Sequence, residues 1–158
     1  MFHRGMRLIS HAKMKYFILE QIESCKIDYN DFVSSIEKYK RNINELKDSR
    51  YNVKILATAA PYCYASIIAK NEKFNVCLGT KFDKKSFKID FENRGEVKKD
   101  KVLQYLKSLR RNQIDTFITD HLDDLPLIKI TRKTIIYGPT KIIEDQLKKS
   151  AITFKSSD

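Results

Sequence analysis

Phe117-Ile-Thr-Asp-His-Leu-Asp-Asp-Leu-Pro-Leu127 is an apolar run that breaks into three carboxylates before a second apolar segment begins. Residues 116–119 are β-branched or aromatic. They suit a buried strand covered on both faces, and Asp120 falls where such a strand stops and turns. The stretch therefore reads as a strand whose carboxyl end carries an acidic loop. Asp120 and Asp124 offer hard oxygen ligands there, which favour magnesium over zinc.

The segments on either side extend this pattern. Val53-Lys-Ile-Leu-Ala-Thr-Ala59 reads as a strand and Ala60-Pro61 as the loop after it, with Pro61 in the first turn of a helix over 62–71. Asn75-Val-Cys-Leu-Gly79 supplies another short strand. Between 80 and 93, Phe82, Phe87, Ile89 and Phe91 alternate enough for a strand pair or an ordered excursion. A helix over 98–109, with Val102, Tyr105, Leu106 and Leu109 inward, leads into the acidic-loop strand. Thr134-Ile-Ile-Tyr137 reads as a last buried strand, Gly138-Pro139 as its turn and 140–149 as a closing helix. The polar end of 151–158 does not require order. This alternation predicts parallel strands in a layered α/β domain.

The amino-terminal third is helical in pattern. Residues 6–25 place Leu8, Ile9, Ala12, Phe17, Ile18, Leu19 and Ile22 at roughly helical spacing. A second helix, capped by Asp28 or Asn30, carries Phe32, Val33, Ile36, Tyr39, Ile43 and Leu46 on one face as far as Asp48-Ser49. His3 and His11 have no evident partner and read as surface or core histidines.

Composition bounds what these elements do. The chain has 158 residues, 42% of them hydrophobic, enough for one domain with a hydrophobic core. No apolar run approaches the roughly 20 residues that span a bilayer. The start lacks a signal peptide's apolar segment and cleavage site, so a cytoplasmic protein is expected. Cys25, Cys63 and Cys77 form no CxxC spacing, which argues against a disulfide framework or a zinc knuckle. The net charge of +11 is spread along the chain, with small clusters at Lys98-Lys99, Arg110-Arg111 and Lys148-Lys149. That distribution reads first as a Lys-rich surface and makes nucleic acid the less favoured partner.

In open parallel sheets, ligands sit beyond the carboxyl ends of the strands. Thr58 ends its strand with a hydroxyl beside a helix start, a place suited to a phosphate oxygen. Lys98, or Lys101 one turn on, opens a helix and offers an ammonium to the same anion.

Taken in order, Thr58-Ala-Ala-Pro61, Gly95-Glu-Val-Lys98 and Thr119-Asp-His-Leu-Asp-Asp-Leu-Pro-Leu127 resemble the second, third and fourth motifs of the haloacid dehalogenase-like hydrolases. The phosphoserine-phosphatase-like branch is the nearest. The resemblance covers about residues 46–147, and the fourth motif is its most specific part. It implies a Rossmann-like three-layer α/β core with a mostly parallel sheet over 46–158, preceded by the remnant of an α-helical cap over 1–45. It also implies hydrolysis of a small phosphorylated substrate, a phosphomonoester, with Mg²⁺ and an aspartyl-phosphate intermediate. Thr58 would hydrogen-bond the phosphoryl group and Lys98 or Lys101 would neutralise it. Asp120 would bind Mg²⁺, and Asp124 would support the metal or the lysine. His121 replaces a small residue of the family pattern and is expected to point outward.

One departure governs the expectation. The family's first motif, Asp-x-Asp-x-Thr, carries the nucleophile and the general acid/base on a central strand, and it occurs nowhere in residues 1–158. Asp28-Tyr29-Asn30-Asp31 has the wrong spacing, and Asp90-Phe91-Glu92 the wrong context. The expectation is a truncated or degenerate phosphatase fold of little activity. Its incomplete sheet would close up or pair with another chain in self-association. The competing reading is a non-catalytic basic module that binds nucleic acid or another anionic partner.

Overall fold

The computed structural model describes residues 9–84 and 86–157. Helices alternate with strands, and the chain forms two compact units, one up to Asn93 and the other from Arg94.

The first unit opens with α1 (His11–Glu23), whose N-cap Ser10 accepts a hydrogen bond from the Lys13 amide. Its buried residues are Tyr16 and Leu19, while Ile9, Phe17 and Ile18 are nearly half exposed. This corrects the expected apolar face; His3 and the predicted helical residues 6–8 lie outside the described residues. Aromatic packing explains the change. The Tyr16 ring lies 5.0–5.6 Å from Phe82, Phe87 and Phe91, and its hydroxyl donates to the Asp83 carbonyl. The aromatic residues between 80 and 93 therefore belong to an ordered excursion without strands.

Asp28 caps α2 (Tyr29–Ile36), its side chain accepting from the amides of Asn30 and Asp31. The predicted single helix to residue 48 is corrected here. After Ile36 the chain forms two 3-10 turns, Glu37–Tyr39 and Asn44–Lys47, with extended backbone at Lys40. Asn42 and Asn44 are poor helix formers, and Tyr39 ends up 76% exposed.

β1 (Ile55–Pro61), α3 (Tyr62–Asn71) and β2 (Val76–Thr80) follow, with the two strands parallel. Pro61 is the last strand residue and the N-cap of α3, one step earlier than its expected helical position. The ladder shifts register between Ala57 and Pro61. Thr58, Ala59 and Ala60 thus occupy an irregular stretch whose carbonyls need partners other than β2. Gly79 lies against this stretch, and an added Cβ would stand 3.1 Å from the Tyr62 Cα and 3.2 Å from the Ala60 oxygen.

The second unit comprises α4 (Gly95–Ser108), β3 (Ile114–Thr119), a 3-10 turn (Leu122–Asp124), α5 (Leu125–Ile128), β4 (Thr131–Tyr137), α6 (Lys141–Lys149) and β5 (Phe154–Ser157). The strands pair in the order β3-β4-β5, all parallel. The polar tail is therefore corrected to a strand. Phe154 packs against Ile128, Ile136 and Leu147, and the Gly138 amide donates to the Ser157 carbonyl at 2.8 Å. α4 buries Val102 and Leu106 as expected, but Leu109 is 39% exposed because the helix has already ended at Ser108. The protein is α/β with parallel strands alternating with helices, as in Rossmann-like folds. No described helix is long and apolar enough to cross a membrane.

Candidate functional site

The acidic stretch divides into one buried and one exposed part. β3 delivers Thr119 at its carboxyl end, 8% exposed, and the following turn brings back Asp124, 7% exposed. Lys98 enters from the first turn of α4 and is also buried. Its ammonium pairs with Asp124 Oδ1, and the Thr119 hydroxyl donates to Asp124 Oδ2 at 2.7 Å. Each carboxylate oxygen therefore has a buried donor, the condition for tolerating an ion pair away from water. The Thr119 oxygen also accepts from the His121 amide at 3.2 Å, fixing the turn. Asp120, between these residues, is exposed and makes no hydrogen bond or ion pair among the described residues.

Lys98 and Lys101 separate clearly in position. Lys98 is buried on Asp124, whereas Lys101 is half-buried on the next turn. His121 points outward, with its ring 62% exposed. Its Nδ1 accepts from the Asp123 amide at 3.1 Å, capping the 3-10 turn. Arg94 pairs with Asp123, and that guanidinium holds the Asp123 carboxyl below its ordinary range despite partial burial.

The donor set bears on Mg²⁺. Among the described residues no three His, Cys, Asp or Glu side chains gather as a metal cluster. Magnesium usually keeps several waters and is held through one or two carboxylates plus substrate phosphates. The uncommitted Asp120 fits that habit as a single ligand. Asp124 differs, because both of its oxygens are already engaged by Lys98 and Thr119.

Thr58 belongs to the first unit. Its Oγ1 accepts from the Ala60 amide at 3.1 Å, leaving its hydroxyl proton available to an acceptor. Sequence reasoning missed the group that supports it. Asn93, fully buried, donates through Nδ2 to the Thr58 and Leu78 carbonyls. The Asn93 amide donates to Thr80 Oγ1, whose hydroxyl donates in turn to the Ala59 carbonyl. Lys15 of α1 also reaches that carbonyl, at 3.2 Å, and pairs with buried Glu92. His11 stands 3.4 Å from the other Glu92 oxygen, which corrects the expectation that it lacks a partner. Only the adjacency of Glu92 and Asn93 to a glycine-led helix start hinted at this network, since its members are distant in sequence.

The three cysteines are free thiols: Cys25 is exposed, and Cys63 and Cys77 are half-buried.

No family model matches the sequence, and no curated protein matches it. A crystal structure of a protein with unknown function from Bordetella pertussis Tohama I is similar, with a TM-score of 0.66 and 14% sequence identity. The likeness covers 82% of this chain but only 64% of that one, so the chain spans under two thirds of its neighbour's length. At this identity the likeness shows a shared Rossmann-like α/β fold and nothing about activity.

Proposed function

We propose that the chain is a phosphatase fold of the haloacid dehalogenase-like kind that retains phosphate- and Mg²⁺-binding groups but does not turn over substrate by itself. The buried Lys98–Asp124–Thr119 cluster at the carboxyl end of β3, beside uncommitted Asp120, carries the reading. A lysine buried on a carboxylate is a preorganised cation, and parallel strands end where phosphate ligands are held. Asp124 acts as a positioning residue, orienting Lys98. Thr58, where the regular β1–β2 ladder breaks rather than at the expected strand end, contributes a hydroxyl.

Bound Mg²⁺ would be held by Asp120 and supply charge neutralisation to a phosphoryl oxygen. Residues 1–158 contain no Asp-x-Asp-x-Thr, so no attacking carboxylate stands ready and covalent phosphoryl transfer lacks its first step.

An assay with Mg²⁺ and p-nitrophenyl phosphate tests inactivity. The expected outcome is release no faster than in buffer. Turnover that disappears in Asp120→Ala would overturn the claim.

A further inference from the structure

The first unit contains a basic cavity that the phosphoryl reading does not use. Its volume is about 480 Å³, and its lining includes Lys40, Arg41, Lys47, Lys54 and Lys73 against a single acid, Glu72. Lys54 lies just before β1 and Lys73 just after α3. The cavity is therefore at the amino end of β1, and Ile55, Leu56 and Ala57 lie between Lys54 and Thr58.

Two of the five cations are committed to the fold. Lys40 pairs with Glu72 and Glu37, and the Lys54 ammonium donates to the Leu46 carbonyl. Arg41, Lys47 and Lys73 are exposed and make no ion pair or side-chain hydrogen bond among the described residues. Like charges so gathered repel one another, and a polyanion relieves that repulsion.

A second cavity, about 230 Å³, shares Lys40, Asn71 and Glu72 with the first. Its other walls are formed by Val33, Ile36, Ile68, the exposed ring of Tyr39 and one acid, Glu37, which pairs with Lys40. One compartment thus suits clustered negative charge, and the adjoining one suits a flat apolar group. We propose that these two compartments form a binding site for a nucleoside polyphosphate, with the phosphates on Arg41, Lys47 and Lys73 and the base beside Tyr39. The larger compartment, about 480 Å³, falls within the range of small-ligand sites. Three uncommitted cations in one concavity match the charge of a di- or triphosphate. A nucleic-acid strand would instead require a basic track with repeated stacking rings.

Calorimetric titration of the full chain with ATP, AMP, inorganic triphosphate and a single-stranded oligonucleotide tests the proposal at about 0.15 M salt. ATP is expected to bind with one site per chain, and AMP at least about tenfold more weakly. The Arg41→Gln/Lys47→Gln/Lys73→Gln variant, with wild-type circular dichroism, should weaken ATP by about tenfold or more. Tyr39→Ala should weaken ATP while leaving inorganic triphosphate unchanged. Absence of ATP binding, equal affinity in the triple variant, or tighter binding of the oligonucleotide than of ATP would overturn it.

Discussion

Asp124 accepts from two buried donors, so removing its carboxylate strands the Lys98 ammonium in the interior. Asp124→Ala should lower unfolding stability by about 3–5 kcal/mol in urea titrations. A Lys98→Met/Asp124→Leu double variant should lose less, because no unpaired charge remains buried. Equal losses in the two variants would show that packing governs the cluster. Glu92 offers a second test. Burial pushes its pKa upward, but hydrogen bonds and charge from Lys15 and His11 outweigh that effect and hold it below the ordinary value. A carboxylate depressed in the folded state contributes stability that is present above its unfolded pKa and lost as pH falls through the folded one. The melting temperature should therefore drop on acidification below about pH 4.3. Glu92→Gln should melt lower near neutrality and show a flatter acid limb. Parallel curves for the two proteins would contradict this role.

Three helices end alike. Lys73 after α3, Arg110 after α4 and Ala151 after α6 all have φ near +55°, and the next amide bonds back to the carbonyl of Ala69, Leu106 or Leu147 respectively. These are left-handed caps without glycine. Arg110→Gly and Ala151→Gly should each raise stability by about 0.5–1 kcal/mol in chemical denaturation; a loss would mean that the native side chain makes a compensating contact. These caps also show why element ends were hard to read in the sequence. Helix 62–71 was legible to the residue because Pro61 marks its start and an apolar face fills it. The end of α2 at Ile36 was not, since Tyr39, Ile43 and Leu46 continue a helical spacing that the backbone abandons. β5 was hidden because Lys155, Ser156 and Ser157 are polar, and its pairing with β4 depends on main-chain bonds and on Phe154 alone.

At the scale of the whole molecule, alternation of strand and helix was legible because buried parallel strands leave apolar runs such as Ile135 to Tyr137, which are buried in the structure. The acidic loop could be placed at a strand end on similar grounds. Its internal division could not, because Asp120 and Asp124 are the same residue type and only three-dimensional pairing distinguishes the free carboxylate from the committed one. The Asn93 network was equally hidden, as it joins residues from β1, β2 and the approach to α4. Net charge gave no hint of its own grouping either, since Arg41, Lys47 and Lys73 are scattered in sequence. The central claim is that Asp120 and the Lys98–Asp124–Thr119 cluster hold Mg²⁺ and phosphate. A ¹H–¹⁵N correlation spectrum titrated with Mg²⁺ and inorganic phosphate tests it most directly. Saturable shifts centred on residues 119–124 and on the start of α4, and lost in Asp120→Ala, are the predicted result; an unchanged spectrum in that region at saturating concentrations would contradict the account.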